Sequence, residues 1–220
     1  MNDHTKNVRH SRSQLQTVVP LSLASRTLIG GVLLLLVACN KAPEKVVEST
    51  LKQDAMTETV SSDSSLAKAA SRGDIAKVKQ LINDGAKIDA TDALGRTPLH
   101  MAVFYSHPKT TALLIASGSN INAKDRTGMT PLHAAVLVGD LQEVDLLLEK
   151  KPEIDTTNEI GLTPLHLAAA TGQPQLSALL IKRGADVQKK DNEGRTPLSY
   201  ATNNQHQKTS ALLQQYLAKQ

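Results

Sequence analysis

An all-α solenoid, a stack of short helix pairs, is the fold class this sequence predicts, on three observations. Thr-Pro-Leu-His stands at Thr97-Pro98-Leu99-His100, returns at Thr130-Pro131-Leu132-His133 and Thr163-Pro164-Leu165-His166, and recurs as Thr196-Pro197-Leu198-Ser199, each copy 33 residues after the last. A tetrapeptide running from Asp or Asn to Gly precedes every copy. Three residues after the Leu of each copy comes an Ala, and then a second apolar run at spacings of three and four. A unit this short cannot bury its own apolar face, so copies must pack on one another and present an extended surface rather than a pocket.

Along the chain, the first element is a leader. Leu28 through Val37 is an uncharged apolar run preceded by Lys6, Arg9, Arg12 and Arg26. At about 1.5 Å per residue it covers roughly 15 Å, half of the ~30 Å hydrocarbon core, which is too short for a stable span. A basic region, a short apolar region and a small residue at the cut describe a secretory signal over residues 1–38. Leu36-Val37-Ala38-Cys39 resembles the lipobox of bacterial lipoproteins, which implies cleavage before Cys39 and lipidation of its thiol. Asn40 stands where an aspartate tends to retain such proteins in the inner membrane, so the resemblance implies the outer membrane, facing the periplasm. The stretch Met1 to Thr27 is long for such a signal and leaves open a true start further along.

Cys39 is the sole cysteine, which rules out a disulfide within one molecule. Of 25 basic and 21 acidic residues, four and one lie within residues 1–38, so the remainder is near neutral. The basic excess that would suggest a nucleic-acid partner belongs to the leader. With no Trp, one Phe and three Tyr there is no base-stacking platform either. Residues 39–62 are polar, with Pro43 and the run Thr57, Thr59, Ser61, Ser62, and read as a flexible tether spanning roughly 25 to 30 Å.

The repeats occupy 63–220, in units of about 63–91, 92–124, 125–157, 158–190 and 191–220. Each full unit opens with a β-turn at Asp92 to Gly95, Asp125 to Gly128, Asn158 to Gly161 or Asp191 to Gly194. Thr then caps a helix whose first position is Pro, where a missing N–H costs nothing. Leu99/Ala102, Leu132/Ala135, Leu165/Ala168 and Leu198/Ala201 face one side of these first helices. Second helices carry Leu141, Val144, Leu147 and Leu148, then Leu176, Leu179 and Leu180, as inward stripes. Gly118 and Gly184 end two of them in a left-handed conformation, and Lys151 at the same repeat position is a predicted weak point.

Turn, Thr-Pro-Leu-His helix, loop, second helix and the return through Gly184-Ala185-Asp186-Val187 resemble the ankyrin repeat. The resemblance covers about residues 63 to 220 and implies three full repeats between two degenerate capping repeats. It also implies that His100, His133 and His166 bond the backbone of adjoining turns. Standing roughly 10 Å apart in a stack, they cannot share a zinc ion, whose bonds to nitrogen are ~2.1 Å. No metal, no cofactor and no catalytic residue is expected, since the repeats lack a nucleophile with its base, a phosphate loop and His-Glu-x-x-His.

Ankyrin domains bind proteins through a concave face of hairpin tips and outward first-helix positions. Carried onto this sequence, that face holds Leu94, Arg96, Phe104, Tyr105, Arg126, Met129, Leu137, Val138, Ile160 and Leu162. The expectation is a monomeric, lipid-anchored periplasmic adaptor that binds another protein, with membrane contact through Cys39 and no nucleic acid. An inhibitor or immunity-type protein that occludes an envelope enzyme or toxin is the alternative, and a hydrolase with an unrecognised site is a third.

Overall fold

The computed structural model describes residues 62–219. Residues 1–38, Cys39 and the polar stretch to residue 61 lie outside the described residues. So the signal, the lipidation and the tether are sequence expectations alone.

Ten helices run through the described residues, with no strand among them. They are α1 (Ser62–Arg72), α2 (Ile75–Asn83), α3 (Pro98–Phe104), α4 (Pro108–Ala116), α5 (Pro131–Val138), α6 (Leu141–Leu148), α7 (Pro164–Ala170), α8 (Pro174–Lys182), α9 (Pro197–Asn203) and α10 (Gln207–Leu217). Odd-numbered helices pack on odd, even on even, and each odd helix on the even helix that follows it. The result is two parallel layers of helices.

Each Thr-Pro start is a complete capping box. Thr97, Thr130, Thr163 and Thr196 accept from the backbone N–H three residues on, and the side chain there accepts from the threonine N–H. Ser199 does with a hydroxyl what the three histidines do with an imidazole nitrogen. The boxes satisfy donors that a helix start otherwise leaves open.

Leu99, Ala102, Leu132, Ala135, Leu165, Ala168 and Ala201 are fully buried or nearly so, and Leu198 packs partly buried against them. In α6, Val144, Leu147 and Leu148 form the buried stripe, but Leu141 is exposed. At 3.6 residues per turn Leu141 and Glu143 flank that stripe on opposite edges. The edge holding Glu143 is wholly buried, and the one holding Leu141 is left to water.

The second helices end as the glycines foretell. Gly118 and Gly184 have φ of 97° and 101°, and Lys151 is forced to φ 52° at the same repeat position. A non-glycine there costs roughly 1 kcal/mol. Between the two helices of a unit, Ser106 (φ 55°) and Gln205 (φ 60°) take the left-handed place that Gly139 and Gly172 fill elsewhere, and Pro108 begins α4.

Backbone bonds join the turns from unit to unit. Arg126 N–H donates to the Leu94 carbonyl at 3.0 Å, Glu159 N–H to Thr127 at 3.1 Å and Asn192 N–H to Ile160 at 3.3 Å. At the opposite loops, side chains do the bridging. Asp89 accepts from Asn120 N–H, Asn122 from Glu153 N–H and Asp155 from Asp186 N–H.

Candidate protein-binding surface

Each turn is held by its opening residue, which leaves the tip side chains free to face outward. Asp92, Asp125, Asn158 and Asp191 each use Oδ1 to accept two backbone N–H groups, from the residues two and four positions on, at 2.8 to 3.2 Å. Burial, which alone raises the pKa of Asp92, is outweighed by Arg96 and these N–H donors, so its carboxyl titrates below the usual range. The acids are turn-makers bound to their own loops.

On this frame Leu94 is 55% exposed and Ile160 41% exposed, both at turn tips, and Tyr105 at the end of α3 is 39% exposed. These are large apolar side chains left to water. Phe104 is half-buried and meets Tyr105 edge-on, with ring centroids 5.3 Å apart. Arg126, at the tip bonded to that of Leu94, is exposed and makes no ion pair among the described residues.

Other predicted surface residues face elsewhere. Met129 and Leu162, expected on the surface, are 6% and 3% exposed. They directly follow the turn glycine, where the returning chain tucks under the next first helix. Their carbonyls accept from His100 and His133 at 3.0 Å. Leu137 is half-buried against the core and Val138 is half-buried as well. Arg96 is occupied by two bonds to Asp92 Oδ2, at 2.8 and 2.7 Å.

The histidines are joints between units. In His100, Nδ1 lies 3.2 Å from Thr97 N and 2.9 Å from Thr97 Oγ1. A backbone amide only donates, so Nδ1 is the acceptor and Nε2 carries the proton given to the Met129 carbonyl. His133 and His166 repeat the arrangement with Leu162 and Arg195. Burial lowers the pKa of all three, that of His133 to about 4. No group of three or more His, Cys, Asp or Glu suited to a metal occurs among the described residues.

Two further histidines act likewise, and the sequence motif does not reveal them. His107 Nε2 lies 3.0 Å from the Ser71 carbonyl, and His206 Nε2 lies 3.0 Å from that of Ala170. Their rings cover Gly73 and Gly172, where any Cβ would collide with them. A signal exists in the pairing of each His with a glycine 34 residues earlier.

Among known families, a model described as Ankyrin repeats (3 copies) matches in four overlapping windows, residues 34–125, 66–158, 107–191 and 132–219. The chain is also similar to Tyrosine-protein kinase HTK16 of Hydra vulgaris, at 36% identity over 77 residues, covering 35% of this chain and 10% of the kinase. It spans about a tenth of that relative's length, and the match falls on the repeats.

Proposed function

The chain belongs to the ankyrin repeat family, and on that premise we propose that it is a lipid-anchored adaptor of the bacterial envelope that captures another protein through its turn tips and first-helix ends. Ankyrin repeats support a protein-binding role. The observation that carries the specific reading is the exposure of Leu94, Tyr105 and Ile160 on a rigid frame, since apolar and aromatic side chains held in place are typical binding hot spots. Arg126, exposed at the tip between those of Leu94 and Ile160, adds a cation for an acidic group on the partner.

The anchor rests on Leu36-Val37-Ala38-Cys39 and the basic, apolar leader before it. Acyl chains at ~0.8 kcal/mol per buried methylene hold a protein on a membrane once more than one chain is attached. We read the chain as a binding module and not an enzyme, because among the described residues the repeat histidines His100, His133 and His166 and the turn-opening Asp92, Asp125 and Asp191 are engaged in caps and turns.

Crosslinking in intact cells, followed by identification of what is attached, tests the reading. Replacing Leu94, Tyr105 and Ile160 together by Glu is expected to abolish the crosslinked partner while the thermal melt stays in place; Arg96→Ala, which alters a residue occupied by Asp92, is expected to leave capture intact. Unchanged capture by the triple variant refutes the surface. Cys39→Ser is expected to move the protein from the membrane to the soluble fraction, and its retention on the membrane refutes the anchor.

A further inference from the structure

Glu143 is the most unusual group in the stack. Its carboxyl is wholly buried in the second-helix layer, where α6 packs against α4. Oε1 accepts from Thr111 Oγ1 at 3.2 Å, and Oε2 has no hydrogen-bond partner among the described residues. A buried carboxylate with one bond and no cation is costly, whereas the neutral acid carries a much smaller desolvation penalty.

The surroundings offer no relief. From α4 come the Thr111 hydroxyl and, at the exposed rim, Lys109. On α5, which also packs on α6, the titratable group is His133, neutral and engaged with Leu162. At the same repeat position as Glu143, α8 has Leu176, and its Lys182 sits exposed in the last turn. The charge acting on Glu143 is that of Asp140 at the N-cap of its own helix, which is negative.

The same contact is flanked by strained backbone. Ser106 in the left-handed region precedes α4, and Lys151 in the left-handed region follows α6. Of the three non-glycine residues at positive φ among the described residues, these two bracket one inter-repeat contact.

We propose that the α4–α6 contact is a pH-sensitive joint: protonated Glu143 seals it, and ionisation of that carboxyl loosens the two repeats against each other. Burial and, to a lesser degree, Asp140 raise the pKa of Glu143 from 4.5 to about 7, against the single lowering contact from Thr111. The joint is fully sealed below pH 4.5 and progressively weakened as pH rises to about 7. Tyr105 precedes the joint and Ile160 follows it, so loosening alters the spacing of the surface proposed above.

Hydrogen exchange on the full chain, with intrinsic rates divided out, tests the joint without any partner. Its failure therefore leaves the surface reading standing. The first-helix histidines titrate in the opposite sense over an overlapping range, so the quantity to follow is protection in Glu143→Gln divided by protection in the unaltered protein. In α4 and α6 that ratio is expected to rise about 70-fold from pH 5 to pH 8, while in α9 and α10 it stays level. A flat ratio in α4 and α6, or an equal rise in all helices, overturns the proposal. If Glu143→Gln does not fold, Glu143→Leu, which copies Leu176, takes its place in the ratio, and the same rise supports the joint while the same flat or uniform response overturns it.

Discussion

Replacing His133 by Ser, the residue that the last repeat uses at the same place, isolates what one buried imidazole contributes. The serine can rebuild the capping box with Thr130, but it cannot reach the Leu162 carbonyl that Nε2 meets at 3.0 Å. Leaving a buried carbonyl unpaired costs about 1–3 kcal/mol, and the volume lost with the ring adds to it. Near pH 7.5 the variant should be less stable by about 2–4 kcal/mol.

Acid then erodes the advantage. The folded-state pKa of His133 is lowered from 6.5 to about 4, chiefly by burial. A depressed histidine contributes stability that is present above 6.5 and lost as pH falls towards 4, because the unfolded chain takes up the proton first. By pH 4.5 the unaltered protein should have lost about 2.5 kcal/mol of its lead. Urea unfolding followed by circular dichroism, repeated at half-unit pH steps, measures both curves. Parallel curves between pH 7.5 and 4.5 would refute the assignment of a neutral Nε2–H imidazole that resists protonation.

Two smaller predictions concern backbone geometry. Gly161→Ala sets a Cβ 2.5 Å from Asn192 N, whereas Gly118→Ala meets nothing within 4 Å. Both carry the cost of a positive φ, but only the first also collides with the neighbouring turn, so it should cost roughly 1–3 kcal/mol more in thermal or urea unfolding. Lys151→Gly relieves the strained φ of 52° and gives back part of the gain as unfolded-chain entropy. A melting temperature higher by about 1 °C is expected, and a lower one would mean that the Lys151 side chain makes a stabilising contact.

The frame is legible in the sequence because its signals are local. Thr caps, Pro starts, Asp-to-Gly turns and the Leu/Ala pair each act within a few residues, and the 33-residue step multiplies them. The surface is only partly legible, since its positions depend on where the chain turns after the tip. Leu94 and Ile160, before the turn glycine, point outward; Met129 and Leu162, after it, are drawn beneath the next helix. Residue type gives no help there, as all four are apolar.

Glu143 and Leu141 defy residue type for the opposite reason, because an ionisable carboxyl lies inside and a leucine expected inside lies out. His107 and His206 lie outside the Thr-Pro-Leu-His motif, and their role shows only when residues 36 positions apart are brought together.

The bonds linking Leu94 to Arg126, Thr127 to Glu159 and Ile160 to Asn192 are made by main-chain atoms. Any amino acid with an amide hydrogen can supply them, so apart from Asn192, whose Nδ2 also donates to the Glu159 carbonyl, the tip side chains are not needed for these links. Selection can rewrite the recognised target one tip at a time while the architecture is inherited unchanged. Diversification and folding are thereby uncoupled in the same few residues.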